Sequence, residues 1–399
     1  PTSIETIKTM KILHTSDWHL GHTLYNYDRT AEQQAFLRQL TRIVTEEQPD
    51  AMVVSGDIYH YSSPAAATQK MYTDAMLNIH QACPGMAIVV TAGNHDSSSK
   101  LEIDSSLWQH FGLNVVGNIE RTAEEVNLYK HIIEINNEKK TICLLYTTET
   151  PRDQRQARFF QALLDEVKKR NTAQLPVVLM AHLSIEGSDR SGHDESIGGI
   201  EYVPLSAMGE GYDYLALGHI HCPQDIKGSH HHARYCGTPL PVSFDETYPH
   251  SVSIIELEKG AEPQISTREI ENPIPLVTLP HDPTPFEDAL KLLEEYPEEK
   301  PAYLRLNVLT KGYLPPDCNE KASNAAKGKA CKYCYIKTTR ERQADTDESK
   351  PISIQEMQEM SPLEIARLYY RETEGEEMDP ELCQLMETVM QKVKSKNNS

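Results

Sequence analysis

The stretch Lys11-Ile12-Leu13-His14-Thr15-Ser16-Asp17-Trp18-His19-Leu20-Gly21-His22 decides how this chain is read. Its apolar start, Lys11-Ile12-Leu13, has the pattern of the first buried strand of an α/β sheet. Asp17 and His19 follow at the far end of that strand, and residues two apart in an extended segment project to the same side. A carboxylate and an imidazole sent into one spot make half of a metal site. Alone the pair is weak, because a hydrogen-bonded loop explains it as well. The sequence downstream changes that.

Ala51 to Ser55 leads into Gly56-Asp57-Ile58-Tyr59-His60, and Ala87 to Thr91 leads into Gly93-Asn94-His95-Asp96. Pro176 to Met180 leads into Ala181-His182, and Tyr214 to Leu217 into Gly218-His219-Ile220-His221. Helical patterns separate the first three strands: Thr30 to Glu47, carrying Phe36, Leu37, Leu40, Ile43 and Val44, and then Thr68 to His80. The alternation reads as α/β. Every candidate residue falls just past the C-terminal end of a strand, where open α/β sheets build their ligand sites. Glycine beside the ligands lets the backbone turn sharply and approach closely.

The ligand inventory is Asp17, His19, Asp57, Asn94, His182, His219 and His221. One bridging carboxylate with several imidazoles suits two divalent ions about 3.5–4 Å apart, the spacing of two-metal phosphoryl-transfer sites. Mixed nitrogen and oxygen ligation fits manganese, iron or zinc better than magnesium or calcium. Two such ions carry more positive charge than Asp17 and Asp57 neutralise, which favours an anionic phosphodiester. His14 and His22 flank the first motif and read as supporting residues rather than ligands. Trp18, between two ligands, reads as packing under the site.

At 399 residues the chain is too long for one compact core, so two or more domains are expected. With 25% charged and 39% hydrophobic residues it has an ordinary globular composition. No apolar run is long enough to span a membrane. Pro1 to Met10 lacks a basic start followed by an apolar block, so it reads as an extension ahead of Met10 rather than a secretory signal. The eight cysteines are scattered, as expected of reduced thiols in the cytoplasm. A net charge of −20 argues against a surface that binds nucleic acid all over by electrostatics. It leaves room for a nuclease, whose cations and partner supply positive charge.

From about His230 to Leu257 the pattern turns β-rich, with Ala233 to Tyr235 and Val252 to Ile255 as strands. His230, His231 and His232 read as a solvated loop. Pro273 to Pro285 reads as a linker, Phe286 to Leu293 as a helix and Tyr303 to Leu309 as a strand. Lys321 to Arg340 holds six basic residues and no acidic one, interleaved with Tyr333 and Tyr335. Phosphate pairing with base stacking, or a solvated, partly disordered loop, account for it equally. Cys331 and Cys334 have only Cys318 nearby, too few ligands for structural zinc. Ser361-Pro362-Leu363-Glu364 is a capping box. Asp379-Pro380 opens a second helix, whose apolar stripe is Leu382, Leu385, Met386, Val389, Met390 and Val393. That stripe suits the protein's own core or a partner's groove.

The five motifs in this order resemble the calcineurin-like metallophosphoesterase family over roughly residues 10 to 260. The resemblance implies a β-sandwich flanked by helices, with a small α+β capping domain and C-terminal helices. It implies a catalytic domain over 10–272, a capping domain with the basic insertion over 273–345, and partner-docking helices over 350–395. Carried over by motif, Asp17, His19 and His221 would hold the first ion, Asn94, His182 and His219 the second, and Asp57 would bridge. His95 matches the family's catalytic histidine, and His60 the histidine that helps place the scissile phosphate. Asp96 would orient His95 or simply satisfy its own loop.

Gly56 to His60 lacks the Asp-Arg-Gly of the family's protein phosphatases, and Asp96 stands where they carry Glu. Gly218 to Gln224 and Tyr235 to Phe244 are similar instead to a branch of DNA nucleases. That branch implies two manganese ions, 3′→5′ double-strand exonuclease and single-strand or hairpin endonuclease activity in DNA break processing, and a coiled-coil ATPase partner. It also implies a homodimer within a heterotetramer. The C-terminal helices would dock on the coiled coil, and helices near Pro64 to His80 and Ser97 to Phe111 would pair two copies. Leu101, Leu107, Trp108 and Phe111 suit that interface, although core packing explains them equally well. The insertion from Cys318 to Arg340 departs from the pattern. The alternatives are a phosphodiesterase or nucleotidase of small nucleotides, and a scaffold, which the full ligand set argues against.

Overall fold

The computed structural model describes residues 9–119, 127–135, 141–145, 155–192, 202–230, 232–312 and 314–340, and beyond these 361, 363–367, 370, 378–379, 382–384 and 386. The chain divides into two compact units, Pro1–Arg340 and Glu341–Ser399.

Two six-stranded sheets form the centre of the first unit. In the first, β1 (Met10–Thr15), β2 (Ala51–Ser55), β3 (Ala87–Thr91) and β4 (Leu113–Val116) run parallel, with α1 (Thr30–Glu47) and α2 (Ala66–Ala82) as crossovers. The second contains β5 (Ile132–Ile135), β6 (Thr141–Leu145), β7 (Val177–His182) and β8 (Tyr214–Gly218), with β9 (Gln224–Asp225) and β10 (Ala233–Tyr235) beyond β8. β11 (Ser251–Leu257) returns to pair antiparallel with β1, and β12 (Gln264–Glu269) closes that edge.

The period of two along each strand assigns its side chains to layers. Ile12, Ala51, Val53, Val89, Val178, Met180, Tyr214 and Ala216 share one buried cluster between the sheets. Their neighbours Leu13, Met52, Val54, Ile88 and Val90 face the opposite way, into a cluster with Phe36, Leu40 and Val44 of α1 and Met76 and Ile79 of α2. Leu179, Leu215 and Leu217 do the same on the outer face of the second sheet, beneath Phe160, Leu163 and Val167 of α3 (Arg155–Arg170). Strands buried on both faces explain the continuous apolar runs in the sequence.

A smaller module follows. β13 (Leu276–Thr284), β14 (Tyr303–Thr310) and β15 (Lys332–Arg340) form a parallel three-stranded sheet, covered by α4 (Phe286–Glu294) and α5 (Cys318–Ala326). The proline-rich stretch is therefore a strand and not a linker. β13 lies at the sheet edge, and its register breaks between Leu279 and Thr284, bracketing Pro280 and Pro283. A missing N–H is tolerated at an edge or a break. The basic tract also differs from the disordered loop, because it forms part of α5 and all of β15. Cys318 and Cys331 pack into this module's core with Leu293, Leu304, Leu306 and Ala322.

In the second unit the capping box forms: Glu364 accepts the Ser361 N–H at 2.7 Å, and Ser361 Oγ accepts the Glu364 N–H at 3.3 Å. Leu382 and Met386 are half-buried, whereas Leu385, Val389, Met390 and Val393 lie outside the described residues. None of the described helices is long and apolar enough to cross a membrane.

Candidate metal centre

The sites gather at one edge of the sandwich, by a backbone route the sequence did not show. β1 ends at Thr15, so Asp17 and His19 are not extended. Their φ values are 52° and 44°, and Asp57 (52°) and His219 (97°) are likewise left-handed. L-residues adopt this region at a cost, and it clusters at functional sites. Cross-loop hydrogen bonds hold the turns: Asp17 N–H to the Gly56 carbonyl and His19 N–H to the Asp57 carbonyl, each at 3.0 Å. Asp17 also accepts the His219 N–H at 3.1 Å. Glycine is required where the loops touch: a Cβ on Gly93 would collide with Asp57, and one on Gly218 with the Ser55 carbonyl.

Asp57 sits centrally. Its Oδ2 lies 3.3 Å from His182 Nε2 and 3.8 Å from His19 Nε2, while Oδ1 accepts the His95 N–H at 2.9 Å. Asp17, His19 and His221 bring ligand atoms within 4.8 Å of one another, as do Asp17, Asp57 and His182. His182 Nε2 and His219 Nδ1 both lie 3.0 Å from Asn94 Oδ1. All seven residues predicted as ligands thus belong to one cluster. Asp17 contacts both halves of it, reaching 4.0 Å from His182.

Neighbouring acceptors fix the histidine tautomers. His182 Nδ1 donates to the Ser55 carbonyl at 2.8 Å, so a lone pair is left on Nε2, facing the oxygens of Asn94 and Asp57. Acceptors converging on one point need positive charge between them, a proton or a cation. His221 repeats the arrangement: Nδ1 lies 2.9 Å from Glu246 Oε1, and Nε2 lies 3.2 Å from His19 Nε2. Burial works against a charged His182, but the Asp57 carboxylate outweighs it and holds the ring up at about 9. His221 is likewise raised to about 9, by Glu246 against burial. Burial drives His19 well below the usual histidine range, with Asp57 opposing. Despite its burial, Asp57 is held well below the carboxylate range by His182. The donor set therefore fits divalent cations, with Asp17, His19 and His221 close enough to share one and Asp17, Asp57 and His182 close enough to share another.

His95 and His60 flank the cluster. His95 Nδ1 lies 2.8 Å from the His60 carbonyl, which fixes it as the protonated nitrogen, and the His95 ring centroid is 5.0 Å from that of His19. His60 Nδ1 lies 3.4 Å from His19 Nδ1, and burial lowers its pKa to about 4. With His19 these two form a third group able to hold an ion. Both Asp96 oxygens are taken up by the main chain. Asp96 accepts the N–H groups of Ile58, Tyr59 and Gly93 at 3.1, 2.9 and 2.9 Å and so fastens the loop.

His14 is fully buried between Tyr214 Oη (2.9 Å) and Ser55 Oγ (3.3 Å), and its burial pushes its pKa down to about 3. His22 packs on His60 at 4.6 Å. Trp18 packs against Phe36 and Tyr72 beneath the site. His230 and His232 join no metal-competent group among the described residues, and neither do the seven cysteines whose side chains are described; His231 lies outside them. The supporting acceptors, Ser55 and Glu246, were missed by sequence reasoning. A backbone carbonyl carries no sequence signal, and Glu246 is one acidic residue among 59.

The small module sits against this domain through aromatic contacts. Tyr335 stacks on Tyr25 at 4.6 Å, and the Tyr333 carbonyl accepts from Tyr27 Oη at 2.9 Å. The Tyr335 ring is thus engaged within the protein, and the half-buried Tyr333 packs on the small module's own core, its hydroxyl donating to Asn319 Oδ1.

A family model described as calcineurin-like phosphoesterase matches residues 10–223, and one described as type 5 capsule protein repressor C-terminal domain matches residues 272–374. The D subunit of nuclease SbcCD from Rhodobacter capsulatus is 32% identical over 309 residues, covering 71% of this chain and 75% of that protein. Its counterpart in Escherichia coli K12 is 27% identical over 394 residues, covering 93% and 94%. The Bacillus subtilis protein of the same name is 31% identical, covering 63% and 68%.

Proposed function

The chain belongs to the calcineurin-like phosphoesterase family, among the D subunits of SbcCD nucleases, and on that premise we propose that it is a manganese-dependent DNA nuclease whose two ions sit in the cluster around Asp57. Its class is that of a two-metal phosphodiesterase hydrolase. One observation carries the assignment of ligands: Asp57 places one carboxylate oxygen against both His182 and His19. When bound, the ions supply Lewis acidity toward the phosphodiester and a nucleophile at neutral pH. The remaining work falls to the chain. Ser55 and Glu246 keep the Nε2 atoms of His182 and His221 turned to the site. His95, with Nδ1 held by the His60 carbonyl, presents Nε2 for proton transfer to the leaving sugar oxygen. His60 helps place the scissile phosphate.

Cleavage runs 3′→5′ on double-stranded ends and endonucleolytically on single strands and hairpins, in the cytoplasm, with an SbcC-type coiled-coil ATPase as partner. The acidic balance of the chain supports a partner that supplies DNA-binding charge. Pairing of two copies draws support from Ile103 and Leu107, which are 78% and 59% exposed, whereas Leu101 and Trp108 pack in the core. The capping domain from residue 273 and the C-terminal docking helices belong to the same proposal. The relatives do not favour a small-nucleotide phosphodiesterase.

The test is incubation of the purified protein with Mn2+ and end-labelled linear and hairpin DNA, with cyclic nucleotides in parallel. Chelator-sensitive DNA cleavage is expected. Hydrolysis of cyclic nucleotides with intact DNA, in the presence of the ATPase partner, would overturn the proposal.

A further inference from the structure

The loop from Ser243 to Glu246 joins two features that are otherwise separate, the metal centre and the small module. Glu246 has a fully buried side chain whose Oε1 faces His221 Nδ1 at 2.9 Å. The preceding residue, Asp245, points to the module instead. Its Oδ1 accepts from Arg305 Nη1 at 2.7 Å and from Lys337 Nζ at 3.3 Å, on β14 and β15. Arg305 is itself held tightly. It donates to Tyr335 Oη at 3.0 Å, to Thr278 Oγ1 at 3.0 Å and to the Phe244 carbonyl at 3.4 Å, and it lies over the Phe244 ring at 5.2 Å. On the other side the loop is backed by Gly192, where a Cβ would press 2.8 Å from Glu246 Cγ and 3.0 Å from the Asp245 carbonyl carbon.

Asp245 and Glu246 are joined by one peptide bond and both are backed by Gly192, so a displacement of the Asp245 main chain is passed on to Glu246. Carboxylates that accept the second N–H of a ligating histidine set its orientation, and losing one typically weakens metal binding 10–100-fold. We propose that Glu246 is the positioning residue of His221, and that the Arg305–Asp245 clamp makes the seating of the small module a determinant of affinity for the ion held by Asp17, His19 and His221. This rests on the two-ion reading of the centre. Through this loop, whatever moves the module tunes one ion and spares the other.

The experiment is Mn2+ titration of the full chain by calorimetry and by electron paramagnetic resonance, with thermal melts as a folding control. Glu246→Ala is expected to weaken one of two ions by about 10–100-fold and leave the other unchanged. Glu246→Gln, which keeps an acceptor oxygen, should recover most of the loss. Arg305→Ala should weaken the same ion by a smaller factor, and adding it to Glu246→Ala should cause no further loss, since it acts through Glu246. If Glu246→Ala does not fold, Glu246→Gln and Arg305→Lys carry the comparison. Lower melting temperatures with both affinities at the wild-type value would overturn the inference alone, leaving Glu246 and Arg305 merely structural. Multiplied losses in the double variant would also overturn it. A wild-type chain that binds no Mn2+ would overturn the two-ion reading and this inference together.

Discussion

Loading the centre with metal should expel protons, and their number follows from the geometry. His182 Nε2 faces Asp57 and Asn94, and His221 Nε2 faces His19, so a proton on either nitrogen stands where a cation would bind. Both imidazoles are raised to about 9 against burial, by Asp57 and by Glu246 respectively. A group with that pKa holds about one proton at pH 7 and about half a proton at pH 9. Filling both positions should therefore release about two protons from these rings at pH 7 and about one at pH 9. The apparent affinity for each ion should rise about tenfold per pH unit from 7 to 9 and level off above. Calorimetric Mn2+ titrations in two buffers of different ionisation enthalpy count the protons directly. A count near zero at pH 7, or an affinity that does not change between pH 7 and 9, would refute the tautomer argument and the placement of the ions with it.

His95→Gln should leave Mn2+ affinity unchanged and reduce cleavage by about 10²–10⁴-fold, as for loss of a general acid; cleavage at the wild-type rate would remove His95 from the chemistry. Asp57→Asn should lower occupancy of both ions, and loss of only one, counted by metal analysis, would contradict bridging. In chelated protein, His182 and His221 have folded pKa values above the unfolded one. Their stabilisation is therefore complete below about pH 6.5 and lost as pH rises through about 9, so the melting temperature should fall across that window and the fall should vanish with Mn2+ bound. Met180→Ala, in the fully buried layer between the sheets, should cost about 2–5 kcal/mol of stability by denaturant titration and leave metal stoichiometry at two.

What the sequence made legible was whatever repeats locally. Apolar runs such as Ala51 to Ser55 and Ala87 to Thr91 coincide with their strands, because buried parallel strands leave an unbroken apolar signature. Phe36, Leu37, Leu40, Ile43 and Val44 face the core as their helical spacing required. The convergence of Asp17 and His19 was expected, but for the wrong reason. It depends on left-handed turns that no alternation pattern reports. Pro280 and Pro283 read as a linker because proline argues against strands in general, and only a known edge position reverses that argument. The tract from Lys321 to Arg340 read as loop or nucleic-acid contact because its charges are local, whereas the Tyr335 ring and the Tyr333 carbonyl meet Tyr25 and Tyr27, some three hundred residues earlier. Asp96 was left between two roles, and three N–H donors decide for the loop.

The central claim is two ions held by this donor set with Asp57 between them. Anomalous diffraction at the manganese edge from crystals of the Mn2+-loaded protein tests it directly. Two peaks are expected about 3.5–4 Å apart, one bounded by Asp17, His19 and His221 and the other by Asn94, His182 and His219, with an Asp57 oxygen on each line of approach. A single peak, or a peak held by His19, His60 and His95 instead, would contradict the account.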